Sequence, residues 1–153
     1  MIRVLFICLG NICRSPMAEF VFRHLAEKEG LGAGITAASA GTSSEESGSP
    51  VHPGTVNRLK AAGISCGGKR AVQLKKSDYA AFDYLVCMES RNLHGALRIF
   101  GQDPEGKLSR LLDFTDRPGD ISDPWYTGDF EATYRDVLAG CTGLLAHIRR
   151  SRH

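Results

Sequence analysis

An uninterrupted apolar run near the N-terminus constrains the fold of this chain more than any other feature. Residues 4–9 include no charged or strongly polar side chain, which is typical of a strand covered on both faces and therefore of a parallel sheet. A helix is predicted directly afterwards, because Ser15 is a suitable N-cap, Pro16 a suitable first helical residue and Gly30 a suitable stop. A buried strand that leads into a helix indicates an α/β fold.

The alternation of strands and helices continues along the sequence. Strands are predicted at 35–40, 83–88 and 108–114, and helices at 56–62, 93–100 and 130–149. The segment 115–129 contains two prolines and two glycines and is predicted to be a loop. Because crossovers between parallel strands are right-handed, this order predicts a doubly wound, four-stranded parallel sheet with helices on both faces, with sites at the carboxyl ends of the strands.

Length, charge and cysteine content limit the class of protein. The 153 residues predict a single domain, 1–153, whose basic end 149–153 forms a frayed tail. A net charge of +2 is too small to indicate a nucleic-acid or membrane surface, and no run reaches the roughly 18 apolar residues of a membrane span. The N-terminus lacks the pattern of a signal peptide, and the five cysteines show no paired spacing, so we expect a cytoplasmic protein.

The segment between the first strand and the first helix has the composition of an anion-binding loop. Its backbone N–H groups can point at one centre, and the N-terminus of the following helix adds a partial positive charge, so the loop can hold a tetrahedral oxyanion. Gly10 and Asn11 tolerate the positive φ angles that such a loop needs. We call this segment the anion loop; it consists of Cys8, Leu9, Gly10, Asn11, Ile12, Cys13, Arg14 and Ser15.

Two side chains of the anion loop suit phosphoryl transfer. Arg14 has a planar guanidinium that can bind two phosphate oxygens at once. Cys8 would lie beneath the bound phosphorus, and a thiol in a positive field ionises more readily to a nucleophilic thiolate. Ser15 is placed to donate a hydrogen bond to that sulfur. A metal site at Cys8 and Cys13 is not indicated, because no further cysteine or histidine pair has ligand spacing.

A thiolate cannot protonate the departing oxygen of a phosphate ester, so a carboxylic acid is also required. The loop after the fourth predicted strand offers Asp120 and Asp123. Asp123 is preferred because Pro124 stiffens it and the neighbouring Trp125 and Tyr126 can exclude water. We call residues 120–126 the acid loop. Both loops follow strand ends, and we therefore expect them to meet at one edge of the sheet.

The anion loop, followed by Pro16 and, far downstream, by the run from Asp123 to Tyr126, resembles the low-molecular-weight protein tyrosine phosphatases. The resemblance covers nearly the whole chain, and residues 39–42 and 87–88 look like further landmarks of the family. It implies a flavodoxin-like fold that needs no metal or cofactor, and two-step hydrolysis of protein phosphotyrosine through a phosphocysteine. Phosphate and other tetrahedral oxyanions are the small ligands expected, and we expect a monomer.

The resemblance also implies roles for individual residues. Cys8 would be the nucleophile, Arg14 the phosphate clamp, and Asp123 the general acid and then the general base. Cys13 would form a reversible disulfide with Cys8 that shields the nucleophile from overoxidation. The resemblance further implies that Asn11 and Ser15 support the loop and that Trp125 and Tyr126 form walls of the substrate pocket.

Two segments depart from the family pattern. Residues 43–48, which we call the rim loop, lack the aromatic residue that many members carry there and instead contain Glu45 and Glu46. We expect an open, acidic rim with weak affinity for aryl esters and a preference for basic peptides. Residues 67–71 lack a histidine that often supports the anion loop, so either Lys69 takes its place or the supporting contacts differ.

Other functions remain as alternatives at this stage. A thiol-dependent arsenate reductase could use the same loop, although it needs a relay of further cysteines that is not evident here. A protein phosphoarginine phosphatase favours a threonine in the loop, where this chain has Ile12. A phosphate-binding module without activity would need neither Cys8 nor Asp123.

Overall fold

A parallel sheet forms the centre of the structure, a computed structural model that describes residues 1–151. Its strands are β1 Ile2–Cys8, β2 Ile35–Gly41, β3 Tyr84–Cys87 and β4 Leu108–Arg110. The helices in this part of the chain are α1 Arg14–Lys28, α2 Pro53–Ala61, α3 Asp78–Ala81, α4 Ser90–Phe100, α5 Pro124–Thr127 and α6 Phe130–Ser151. A 3-10 turn, Leu111–Phe114, follows β4.

The strands lie in the order β2-β1-β3-β4, and all neighbours are parallel. Cys8 pairs with Gly41, Ile7 with Cys87, and Cys87 with Arg110, so the strands end nearly level at one edge of the sheet. This register brings the connections that follow the four strands to the same edge. The predicted four-stranded, doubly wound parallel sheet is confirmed.

Each face of the sheet is covered by a separate apolar cluster. On one face Phe6 packs with residues of α1 and α6, including Phe22 and Leu144. On the other face Ile7 packs with Leu85 of β3 and with α4 residues such as Phe100. Successive side chains of a strand point to opposite faces, so burial on both faces explains why residues 4–8 are apolar without interruption, whereas Leu9 lies beyond β1 and is exposed.

Some predicted elements differ from those observed. The fourth strand ends at Arg110 instead of residue 114, because the Asp113 carboxylate accepts hydrogen bonds from the Arg110 backbone and guanidinium and turns the chain. An apolar run by itself does not distinguish a strand from such a turn. The segment predicted as a loop at 115–129 contains the short helix α5, and α3 was not predicted.

The C-terminal helix is longer than predicted. Residues 149–151, which were expected to fray, continue α6, and the remaining two residues of the predicted tail lie outside the described residues. None of the helices within residues 1–151 is long and apolar enough to cross a membrane.

Candidate active site

The anion loop folds into a cup whose carbonyl groups face outward. The carbonyls of Cys8 and Leu9 accept hydrogen bonds from the N–H groups of Thr42 and Ser43, both at 2.9 Å. The Ile12 carbonyl accepts from the His52 N–H at 2.8 Å. With these carbonyls held by neighbouring segments, N–H groups of the loop are free to point inward. Asn11 adopts the expected positive φ of 59° and donates its N–H to the Cys8 sulfur at 3.3 Å.

The Cys8 sulfur lies at the bottom of this cup and has a second polar partner. The Ser15 Oγ is 2.9 Å away and itself accepts a hydrogen bond from the Asn11 Nδ2 at 2.8 Å, which leaves the Ser15 proton to point at the sulfur. Two polar hydrogens therefore point at one sulfur, where they can stabilise negative charge that forms on it. Ser15 is not the helix N-cap that its sequence context indicated, because α1 already begins at Arg14 with Cys13 as its N-cap.

Arg14 projects from the first turn of α1 and is 3% exposed. Its Nη1 donates to the Glu89 Oε2 and to the Ile121 carbonyl, the latter at 2.9 Å, and its Nη2 lies 3.3 Å from the Asp123 Oδ2. The guanidinium therefore joins the anion loop to the end of β3 and to the acid loop. The expected meeting of the first and last loops at one edge of the sheet is confirmed by these contacts.

The two aspartates of the acid loop have different environments. The Asp120 carboxylate accepts hydrogen bonds from the Ser90 N–H at 2.9 Å and from the Arg110 Nη1 at 3.1 Å. Partial burial raises the pKa of Asp120, but these hydrogen bonds outweigh it and hold the pKa below the ordinary range. Asp123 instead caps α5 by accepting from the Trp125 N–H and lines the cavity above Cys8. Asp120 is thus an anchor of the acid loop, and of the two aspartates it is Asp123 that borders the cavity with Cys8.

A cavity of about 170 Å³ opens above the Cys8 sulfur. Trp125 and Tyr126 line it but are 58% and 77% exposed, so they leave the mouth open to water instead of shielding Asp123. Glu45 and Glu46 line the same cavity. The lining residues in the described part of the chain are Cys8, Leu9, Gly10, Ile12, Cys13, Arg14, Ser43, Glu45, Glu46, Asp123, Trp125 and Tyr126.

Lys69 does not replace the supporting histidine. Its ammonium donates to the Ser39 carbonyl at 3.0 Å and lies 3.8 Å from the buried Glu19 carboxylate, and it has no hydrogen bond to an anion-loop side chain within residues 1–151. The Asn11 side chain is supported instead by the Val72 N–H, which donates to the Asn11 Oδ1 at 3.0 Å. A backbone amide therefore gives Asn11 the support that was expected from a side chain. The identity of residue 69 does not reveal this contact.

The other cysteines lack the features that surround Cys8. Burial, the charge of Cys8 and that of Asp123 raise the pKa of the Cys13 thiol to about 12. Burial also raises the thiol pKa of Cys66, Cys87 and Cys141. Cys87 and Cys141 are fully buried, so neither is placed to carry a disulfide to the surface as an arsenate reductase requires.

Residues that sequence reasoning missed complete the site. Glu89, which contacts Arg14, follows β3 at the same edge of the sheet as the anion loop. A charged residue directly after a buried strand is the signal that could have identified it. Within residues 1–151, no group of three or more His, Cys, Asp and Glu side chains is arranged to hold a metal ion.

Comparisons with known proteins agree on one family. Residues 3–153 match the family model described as low molecular weight phosphotyrosine protein phosphatase. The chain is 43% identical to the low molecular weight protein-tyrosine-phosphatase YfkJ of Bacillus subtilis over 99% of both chains. It is 36% identical to PtpA of Staphylococcus aureus, covering 97% of this chain and 94% of that one. The crystal structure of YfkJ superposes with a TM-score of 0.97, at 42% identity over 100% of this chain and 98% of that chain.

Proposed function

The chain belongs to the low-molecular-weight phosphotyrosine protein phosphatase family, and from this premise we propose that it hydrolyses phosphotyrosine in proteins with Cys8 as nucleophile. The observation that best supports these roles is that the Cys8 sulfur, the Arg14 guanidinium and the Asp123 carboxyl all border one cavity. The sulfur also has polar contacts to the Asn11 N–H and the Ser15 hydroxyl, which can stabilise negative charge on a leaving or attacking sulfur.

The anion loop binds the phosphate group of the substrate. Its inward N–H groups and the N-terminus of α1 stabilise the phosphate oxygens, and Arg14 adds the positive charge. The stabilisation grows as charge spreads over these oxygens in the transition state. Because inorganic phosphate presents the same oxygens, we expect phosphate and other tetrahedral oxyanions to inhibit competitively.

The first chemical step transfers the phosphoryl group to the enzyme. The Cys8 thiolate forms a bond to phosphorus while the bond from phosphorus to the tyrosine oxygen breaks, and Asp123 gives its proton to that oxygen. The products are a phosphocysteine and a neutral tyrosine side chain. Asp123 is placed for this role because its Oδ2 lies 3.3 Å from the Arg14 Nη2, at the edge of the phosphate site.

The second step releases phosphate. Asp123, now a carboxylate, removes a proton from a water molecule as the water oxygen attacks phosphorus and the bond between phosphorus and sulfur breaks. The Ser15 hydroxyl, 2.9 Å from the sulfur, stabilises the departing thiolate by a hydrogen bond. The original protonation states are restored once Asp123 has again become the acid.

The cysteines and the site residues also support proposals about the cellular environment and the oligomeric state. We propose a cytoplasmic, reducing environment, because five free cysteines, one of them the nucleophile, would be at risk in an oxidising one. We also propose that the enzyme works as a monomer, since one chain supplies all of the site residues named above. The net charge of +2 gives no support for a nucleic-acid or membrane partner.

Two substitutions test the proposed roles. We expect Cys8→Ser to abolish phosphate release from an aryl phosphate without added metal. Asp123→Ala should lose about two to four orders of magnitude in kcat, the usual contribution of a general acid, and should lose less with leaving groups that need no proton. Full activity of Cys8→Ser would refute the proposal, and reduction of arsenate coupled to thioredoxin would favour the reductase instead.

The acidic rim supports a proposal about substrate preference. Among the described residues, the cavity lining contains one cationic side chain, Arg14, against the carboxylates of Glu45 and Glu46, besides the acid Asp123. Glu46 is half-buried and accepts a hydrogen bond from the Ser49 Oγ at 2.9 Å, so its charge is fixed beside the anion loop, whereas Glu45 is exposed. We propose that the mouth favours phosphotyrosine flanked by basic residues and that Glu46 contributes more than Glu45.

The preference can be measured with two phosphotyrosine peptides that differ only in carrying arginines or glutamates beside the phosphotyrosine. We expect kcat/KM to favour the arginine peptide by about three- to tenfold, since each partly exposed ion pair contributes about 0.2–1 kcal/mol. Glu46→Gln should reduce the ratio most, and added salt should reduce it further. Glu27→Gln, which removes an exposed charge at the far end of α1, is the control. An unchanged ratio in the double variant of Glu45 and Glu46 would contradict the proposal.

We further propose that Cys13 protects the nucleophile from oxidation. Peroxide would oxidise the Cys8 thiolate to a sulfenic acid, and the Cys13 thiol would then displace water to form a disulfide, which a dithiol reverses. Both sulfurs belong to residues that line the same cavity. After peroxide treatment, dithiol should restore activity to the wild type but much less to Cys13→Ser; equal recovery would contradict this role.

A further inference from the structure

We infer that Glu89 is a positioning residue that determines which edge of the Arg14 guanidinium faces the phosphate. The inference builds on the proposed function, and it concerns a residue outside the anion loop and the acid loop. Arg14 is buried, and its Nη1 donates to both the Glu89 Oε2 and the Ile121 carbonyl. These two acceptors use both hydrogens of Nη1.

The opposite edge of the guanidinium is left for the substrate. The Nη2 has one contact in the described part of the chain, at 3.3 Å to the Asp123 Oδ2, which is longer than a strong charge-assisted hydrogen bond. The Nε–H has no protein acceptor within residues 1–151. Nε and Nη2 together form the fork that binds two oxygens of a tetrahedral anion. Glu89 therefore holds Arg14 by one nitrogen, so that this fork remains available to an anion in the cavity.

Glu89 is itself rigidly placed. The Asn92 side chain, only 2% exposed, accepts hydrogen bonds from the Met88 N–H at 3.1 Å and the Glu89 N–H at 3.0 Å. The Met88 carbonyl accepts from the Ile121 N–H at 2.9 Å, which joins the same turn to the acid loop. The Glu89 carboxylate thus approaches Arg14 from the turn that follows β3. The contacts with Asn92 and Ile121 hold this turn in place.

Removing the charge of Glu89 should misorient Arg14 without removing it. In Glu89→Gln, a neutral amide replaces the carboxylate, and the Asp123 carboxylate becomes the stronger partner for the guanidinium. The fork would then turn away from the phosphate site. Both substrate and inorganic phosphate would lose the same contact, whereas the Asn11 and Ser15 contacts to the Cys8 sulfur would stay in place.

The test compares Glu89→Gln and Glu89→Ala with the wild type and with the Glu27→Gln control. We expect kcat/KM for an aryl phosphate to fall about three- to tenfold in Glu89→Gln, because a neutral hydrogen bond is about half as strong as a charge-assisted one. In Glu89→Ala it should fall about ten- to a hundredfold. The inhibition constant of inorganic phosphate should rise in parallel, while the rate at which iodoacetamide alkylates Cys8 should stay within twofold.

A purely structural role would lower the amount of active enzyme but would leave the inhibition constant of phosphate unchanged, and that result would overturn the inference. Values of kcat/KM and of the phosphate inhibition constant within twofold of wild type in Glu89→Gln would also overturn the inference. If Glu89→Ala does not fold, the result for Glu89→Gln decides by itself. Activity in Cys8→Ser would refute the proposed function itself. Inactive Cys8→Ser together with wild-type behaviour of the Glu89 variants would refute only the role of Glu89.

Discussion

At the residue scale, the reactivity of each cysteine follows from what surrounds its sulfur. Cys8 has a backbone N–H and a hydroxyl directed at it and borders an open cavity. Cys13 borders the same cavity, but burial and the negative charges of Cys8 and Asp123 raise the pKa of its thiol to about 12. The two cysteines of this loop therefore have different surroundings, and of the two Cys8 receives the hydrogen bonds.

This difference predicts selective alkylation. At neutral pH we expect iodoacetamide to label Cys8 first, because the thiol of Cys13, with a pKa of about 12, is almost entirely protonated and burial raises the thiol pKa of Cys66, Cys87 and Cys141 as well. Mass spectrometry of peptides from briefly treated protein measures the labelling. Inorganic phosphate should protect Cys8, and unfolding in urea should expose all five cysteines. Early labelling of Cys13 in the folded protein would contradict this explanation.

At the element scale, the acid loop is held at both ends. Asp120 ties its beginning to the first residue of α4 and to Arg110 at the end of β4. Asp123 caps α5 and reaches Arg14. The loop is therefore fixed relative to the sheet edge, although its Trp125 and Tyr126 side chains are exposed to solvent.

Asp120→Ala should loosen the acid loop without removing the acid. We expect kcat to fall by about tenfold, as for small displacements of a catalytic group, and therefore less than the loss from Asp123→Ala. The comparison uses an aryl phosphate with a poor leaving group, for which proton donation limits the rate. A loss from Asp120→Ala as large as that from Asp123→Ala would mean that the two roles have been assigned wrongly.

The approach of α6 to the 3-10 turn depends on a glycine. A Cβ at Gly143 would overlap the Phe114 carbonyl oxygen, which belongs to the backbone and cannot move alone. Alanine ordinarily stabilises a helix relative to glycine, but we expect Gly143→Ala to lower the free energy of unfolding by about 1–3 kcal/mol, as overpacking does. Urea unfolding measures the change. Gly67→Ala, where a Cβ would make ordinary contacts, is the matched control.

At the scale of the whole molecule, a charged cluster lies where α1 packs on β2. The Glu19 carboxylate is 3% exposed and pairs with Arg23 at 2.8 Å, and its other oxygen accepts from the Ser39 Oγ at 2.6 Å. Lys69 lies 3.8 Å from that oxygen and donates to the Ser39 carbonyl at 3.0 Å. The cluster connects the segment after α2 to both the helix and the sheet.

The pKa of Lys69 makes stability depend on pH. Burial lowers this pKa below its ordinary value of 10.5, and the charge of Glu19 only partly opposes the effect. Between the lowered pKa and 10.5 the unfolded chain binds more protons than the folded one, so the contribution of Lys69 to stability rises with pH in that window. We expect the free energy of unfolding of the wild type, minus that of Lys69→Met, to increase between neutral pH and pH 10.5. A constant or decreasing difference in urea unfolding would contradict the assignment.

The sequence by itself determined the order of the four strands and of the longer helices, and it determined the anion loop. Both features depend only on residues that are close in sequence: an apolar run that is buried on both faces, and then a glycine and an asparagine that tolerate positive φ. Cys8, Arg14 and Asp123 could be selected for the same reason: their chemistry is visible in their residue types and their immediate context. Ser15 was predicted in two roles: its hydroxyl contacts the Cys8 sulfur as expected, whereas the helix cap that its context favoured is Cys13 instead.

Only the tertiary structure decided which distant groups meet. Glu89 reaches Arg14 across 75 positions of sequence, and the Val72 amide supports Asn11 across 61 positions. The end of β4 likewise depends on hydrogen bonds between Asp113 and Arg110 that the pattern of residues 108–114 does not reveal. Local preferences act between neighbours, whereas these contacts exist because parallel strands bring their carboxyl ends to one edge, where residues far apart in the chain share the same cavity.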